Sequence, residues 1–177
     1  GIYTDQIYAI KYLASRLPDG WFIYIKEHPR QLNDVYPDIR KINFRNKSDY
    51  DEIKKINKVK FVHHTFSDEE LIKNSMITCS LQGSTVWKGL LRGKPGITFN
   101  QTWHSLCKSS PVAKLDDLNN QLIQLSLKDK STVEDDLYKF CNTFTMYSLN
   151  ALNMGNFIYD YQSDKKLITN LSDFILK

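Results

Sequence analysis

The sequence has few of the residues that mark irregular chains. It has only 7 glycines and 5 prolines in 177 residues, which excludes a collagen, a flexible linker or a low-complexity tail. Its 3 cysteines, Cys79, Cys107 and Cys141, are odd in number and widely spaced. Such a set excludes a disulfide framework and has no metal-ligand spacing, so the thiols are expected to be reduced, with Cys79 in the core. No apolar run reaches the roughly 20 residues needed to cross a bilayer. The opening "GIYTDQIYAIKYLA" has no basic segment ahead of an apolar stretch and does not read as a signal peptide, so a cytoplasmic location is expected. Charge of one sign is also scarce. The net charge is +4, with Lys and Arg spread along the chain rather than gathered in the dense stripe of a nucleic-acid domain. No nucleic-acid partner is expected, and the balance suits an anionic ligand or an anionic membrane surface.

What is present is ordinary globular composition, 41% hydrophobic and 25% charged, in a chain long enough for one domain with a real core. Residues 5–17 put Ile7, Ile10, Leu13, Ala14 and Leu17 at helical spacing, with Thr4 as the expected cap and Pro18-Asp19-Gly20 as the stop. "WFIYIK" then reads as a buried strand that ends near Glu27, ahead of Pro29. Residues 31–47 are polar and irregular, and Ser48 is expected to cap a brief helix over "DYDEIKKI". "VKFVHH" reads as a second strand, and "SDEELIKNS" as a helix with Ser67 and Glu70 at capping-box spacing. "MITCSL" reads as a third strand, "STVWKGLL" as a helix and "GITFN" as a fourth strand. Strands alternating with helices over short connections predict an α/β fold, a Rossmann-like parallel sheet flanked by helices.

Beyond about residue 110 the pattern turns helical. "AKLDDLNNQLIQL", "STVEDDLYKFCNTF" (capped by Ser131 or Thr132) and "SDKKLITNLSDFILK" each carry helical periodicity. The expected division is an α/β unit over 1–110 and a helical C-terminal tail over 111–177 packing on the same domain.

Ligands of an open parallel sheet bind outside the carboxyl ends of its strands. Four predicted strand ends carry polar residues: Lys26-Glu27-His28-Pro29-Arg30, His63-His64-Thr65, Gln82-Gly83-Ser84-Thr85, and Asn100 to His104. Gly83 permits close approach of a ligand to backbone, and the Ser84 and Thr85 hydroxyls add donors; equally, either hydroxyl could simply cap its helix. His28, flanked by Lys26 and Arg30, could bond a phosphate oxygen or protonate a leaving group, or could be a turn histidine. Glu27 could orient His28, bind a ribose hydroxyl or balance charge. On a strand, His63 and His64 would point to opposite faces, which argues against a shared metal. Trp103 and His104 could stack on a base or cover the core edge. "QGSTVWKG" has neither Walker nor nucleophile-elbow spacing.

The order of "DQIYAIKYLASRLPDGWFIYIKEHPR", "FSDEELIKNSMITCSLQGSTVWKGLLRGKPGITF" and "TWH" resembles the bacterial capsule polysaccharide biosynthesis family, from about residue 2 to about residue 104. Those proteins are two-domain glycosyltransferases of the GT-B type, including Kdo transferases that use a CMP-activated donor. The resemblance implies a metal-independent transferase for capsule or lipopolysaccharide, with this chain as its nucleotide-sugar donor half. It implies an acceptor bound by another, N-terminal half, and work at or near the inner membrane. By the same resemblance His28 would be catalytic and would face the donor phosphate with Lys26. Glu27, Arg30, Gln82, Gly83, Ser84, Thr85, Lys88 and Trp103 would complete the donor site, with no metal and no cofactor beyond the donor. Where the family has Gly-Ser-x-x-Trp-Glu-Ala, this sequence has Gly83-Ser84-Thr85-Val86-Trp87-Lys88-Gly89. Lys88 turns a hydrogen-bond acceptor into a donor. Two alternatives stand beside the transferase: a non-catalytic interaction domain that lost the chemistry, and a nucleotide-sugar epimerase relative.

Overall fold

A computed structural model describes residues 5–27 and 45–147. The first helix, α1 (Gln6–Arg16), is capped by Asp5, whose carboxylate accepts from the N–H groups of Ile7 (2.9 Å) and Tyr8 (3.1 Å). A carboxylate at that position meets the unpaired N–H groups of the first turn. Asp5 therefore takes the role expected of Thr4, which lies outside the described residues. The helix gives way at Pro18-Asp19-Gly20, where Trp21 N–H donates to Pro18 O (3.3 Å) and Gly20 adopts φ 81°. Only glycine enters that left-handed region without strain.

Strand β1 (Ile23–Lys26) pairs in parallel with β2 (Val59–Val62), in the register Ile23 to Val59 and Lys26 to Val62. Between them lies α2 (Lys47–Lys54), which Asn46 caps rather than Ser48. Asn46 accepts from Asp49 N–H (3.1 Å), while Asp49 accepts from Asn46 N–H (2.8 Å), a reciprocal box that satisfies donors on both sides of the helix start. Helix α3 (Asp68–Asn74) starts on Ser67, as expected. Strand β3 (Thr78–Ser80) pairs in parallel with β4 (Gly96–Thr98), and α4 (Thr85–Leu90) connects them.

The chain is thus α/β with parallel pairing, but the single flanked sheet resolves into two two-stranded sheets, β1-β2 and β3-β4. Alternating elements predict parallel pairing without saying which strands bond to which. Side chains join the pairs instead. Ile23 from one, Cys79 from the other and Ile77 just ahead of β3 pack on one core of Leu13, Ile97, Phe99, Leu118 and Leu122. A fifth extended stretch, unread in the sequence, runs beside β4: Thr98 N–H donates to Pro111 O (3.1 Å) and Ala113 N–H to Thr98 O (2.7 Å).

Helices α5 (Leu118–Ser126) and α6 (Lys130–Tyr147) occupy the described part of the expected tail. Neither is an appendage. Leu118, Leu122 and Leu125 complete the first core, and Val133 and Phe140 join Leu90 and Cys107 in a second. Helix α6 is capped by Asp129, which accepts from Thr132 N–H (2.8 Å) and Ser131 Oγ (3.0 Å), rather than by Ser131 or Thr132. The helix expected over "SDKKLITNLSDFILK" lies outside the described residues. No described helix is long and apolar enough to cross a membrane.

Candidate functional site

The segment joining β3 to β4 explains how polar residues come to stand at a strand end. Gly89 and Gly96 let α4 lie close on the sheet: a Cβ on Gly89 would meet Thr78 Oγ1 at 2.5 Å, and one on Gly96 would meet Val86 Cγ1 at 2.5 Å. The turn that follows the helix closes at Gly93, φ 70°, where Gly93 N–H donates to Leu90 O and Lys94 N–H to Gly89 O, both at 3.0 Å. This pair of bonds is a Schellman motif, and the left-handed residue it needs is the glycine of "GKP". At the other end, Ser84 sits in the right-handed helical region (φ −70°, ψ −5°) and makes no side-chain cap bond. The hydroxyl is not consumed by capping, and Gln82 through Thr85 are all exposed.

These residues border a hollow of about 390 Å³. Gln82, Gly83 and Ser84 contribute from the end of β3, Trp87 from α4, and Thr102, Trp103 and His104 from the loop after β4. The last three are held by a short 3-10 turn, Trp103–Leu106, in which Ser105 Oγ accepts from Thr102 N–H (2.9 Å) and lies 3.2 Å from Thr98 Oγ1. Trp103, 39% exposed, lies against Trp87 with ring centroids 4.5 Å apart, and packs on Phe140 of α6 at 6.0 Å. His104 is buried, with Nδ1 2.9 Å from Ser110 Oγ. Burial pushes its pKa down, because the charged ring loses hydration.

Four residues expected from the sequence, Gln82, Gly83, Ser84 and Trp103, are brought together here. Thr85, the first residue of α4, is adjacent but not part of the lining. Lys26 and Lys88 converge elsewhere, on the carboxylate of Asp68: Lys26 pairs with Oδ1 and Lys88 with Oδ2 (3.3 Å). The hydrogen bond from Lys26 first, then that from Lys88 and both positive charges, outweigh burial and hold Asp68 below the usual carboxylate range. Arg92 pairs with Glu69 alongside, so Lys88 of α4 and Arg92 of the turn after it clamp the acidic first turn of α3. Lys88 is thus one member of a helix-to-helix ion network. Glu27 pairs with Arg45, both largely buried, and Arg45 also donates to Gln6 Oε1 (2.6 Å). His28 and Arg30 lie outside the described residues.

His63 and His64 correct another expectation. The strand stops at Val62, so they do not alternate across a sheet; their rings lie 4.3 Å apart, and His63 Nδ1 is 2.8 Å from Thr65 Oγ1. Both are exposed. The tripeptide Asp49-Tyr50-Asp51 has the spacing of a metal-holding pair, yet Asp49 is engaged at the start of α2. Among the described residues no three His, Cys, Asp or Glu side chains gather as a metal site. Burial pushes the Cys79 thiol up to about 12, so it is not a thiolate nucleophile at neutral pH.

Sequence reasoning missed Asp68, whose partners are 42 and 20 residues away. It also missed Trp87 as lining, whereas Thr102 and His104 belong to the polar strand end, Asn100 to His104, that the sequence marked. Compared with family models, with curated proteins and with solved structures, the chain matches none.

Proposed function

We propose that the chain is a nucleotide-sugar-binding unit, the donor half of a metal-independent, GT-B-type glycosyltransferase that makes bacterial surface polysaccharide. The observation that supports this reading is the hollow at the carboxyl ends of two neighbouring parallel strands. It combines exposed backbone and hydroxyl groups at Gly83 and Ser84 with an exposed tryptophan ring at Trp103. A nucleotide needs that combination: a planar ring stacks on an aromatic face, and a phosphate takes hydrogen bonds from small polar residues. In this reading the donor phosphate lies against Gln82, Gly83 and Ser84, with Thr85 beside them, and the base lies on Trp103. His28 protonates or steadies the leaving phosphate. The acceptor glycan or glycolipid is supplied by a further half, on the cytoplasmic side of the inner membrane. Isothermal titration with CMP, UDP, GDP and free sugars tests the proposal; binding of a nucleotide is expected, and no binding by any of them overturns it.

One observation favours the second reading, a related interaction domain without chemistry. Lys26 and Lys88, the cations expected to meet the donor, are both held by Asp68. If wild type binds no nucleotide, the interaction domain replaces the donor half, and binding gained in Asp68→Asn traces the loss to that ion pairing.

A further inference from the structure

His104 and Ser110 form a buried pair at the edge of the hollow. His104 is 2% exposed and Ser110 fully buried, yet His104 contributes to the lining. Its ring lies beside the contacting Trp87–Trp103 pair, 6.2 Å from Trp87 and edge-on to Trp103 at 5.3 Å. Among the described residues, Ser110 Oγ has one hydrogen-bond partner, His104 Nδ1, and His104 Nε2 has none.

That arrangement decides where the imidazole carries its proton. A buried hydroxyl keeps its hydrogen on an acceptor, and Nδ1 is the acceptor within reach. For Nδ1 to accept, the ring must be neutral with its hydrogen on Nε2. Burial keeps the ring neutral at neutral pH. With Nδ1 turned to buried Ser110, the protonated Nε2 is the nitrogen left for a ligand. We infer that Ser110 fixes the His104 tautomer so that Nε2–H offers a hydrogen-bond donor to the hollow, taken by a carbonyl oxygen or ring nitrogen on the edge of a nucleobase stacked at Trp103. His104 thereby reads the base, and Ser110 is its positioning residue. The choice of ligand rests on the nucleotide reading; the tautomer does not.

Two measurements on the full chain test this. Imidazole 15N shifts of the free protein, with His104→Gln to assign the signal, are expected to show the Nε2–H tautomer in wild type and a mixture in Ser110→Ala. A wild-type Nδ1–H tautomer overturns the inference without any ligand being needed. Titration is then run with CMP and with ribose 5-phosphate, which has no base. Ser110→Ala is expected to weaken CMP about fivefold, the worth of one ordinary hydrogen bond, and to leave ribose 5-phosphate unchanged. His104→Gln, which retains an amide N–H near the Nε2 position, is expected to keep most CMP affinity. Equal weakening of both ligands by Ser110→Ala marks a structural role and overturns the base-reading assignment. Failure of wild type to bind CMP, UDP or GDP overturns the nucleotide reading and the ligand half of this inference together, while the nitrogen shifts still decide the tautomer.

Discussion

Gly83 and Gly89 stand six positions apart, and replacing each with alanine separates scaffold from binding surface. A Cβ on Gly89 lies 2.5 Å from Thr78 Oγ1 and 2.8 Å from Thr78 Cγ2. Thr78 is 4% exposed and its hydroxyl donates to Pro95 O at 3.3 Å, so it has no solvent to swing into. Overpacking of this kind costs about 1–3 kcal/mol, offset by up to about 1 kcal/mol because alanine favours a helix over glycine. Gly89→Ala is therefore expected to destabilise the fold by about 1–2 kcal/mol, read in urea unfolding or as a melting shift of roughly 2–8 °C. Thr78→Ser removes Cγ2, so the double variant should recover part of the loss. At Gly83 a Cβ meets only Ser80, Cβ at 3.7 Å and Oγ at 3.8 Å, which is ordinary contact. Gly83→Ala should hold stability within about 0.5 kcal/mol. On the nucleotide reading it should nonetheless weaken nucleotide binding about tenfold, since a methyl group would stand where the phosphate is proposed to meet the backbone. Gly89→Ala at or above wild-type stability would refute the packing argument, and unchanged nucleotide affinity in Gly83→Ala would remove that backbone from the site.

Trp103→Ala should abolish nucleotide binding in the same titrations and lower stability by about 1–2 kcal/mol, less than for a fully buried tryptophan because 39% of the residue is already exposed. Asp68→Asn should release Lys26 and Lys88 and tighten anion binding, with a stability loss under about 1 kcal/mol because the carboxylate is half exposed. Since its folded pKa is depressed, Asp68 stabilises fully above its unfolded value of about 4 and progressively less as pH falls through the folded value. Stability curves of wild type and Asp68→Asn should therefore converge in acid; a gap that widens there contradicts the assignment. Lys88→Glu exchanges an ion pair for repulsion against Asp68, so chemical unfolding should show a loss of about 0.5–1 kcal/mol, with weaker nucleotide binding. Tighter binding instead would mark Lys88 as the residue that disabled the site.

Much of the site was legible where chemistry is local in sequence. The β3-to-α4 joint announced itself through "QGST", and the left-handed glycine of the turn after α4 is Gly93, the first residue of "GKP". Aromatic Trp103 stood at a readable strand end. The caps were less legible, because Asp5, Asn46 and Asp129 each compete with a neighbouring residue of similar capping ability, and the choice depends on backbone angles.

Composition and periodicity by themselves determined the α/β class with parallel pairing, the main described helices and strands in order, and polar residues at the strand ends. These depend on side-chain pattern within a few residues, which the chain carries openly. Tertiary structure alone decided that the strands bond as two pairs, that α5 and α6 complete the cores, and that Lys26 and Lys88 meet at Asp68. It alone set His104 against Ser110. Each of these depends on which distant groups are pressed together when apolar surface is buried, and a carboxylate or a hydroxyl takes the partner that packing places within hydrogen-bond reach.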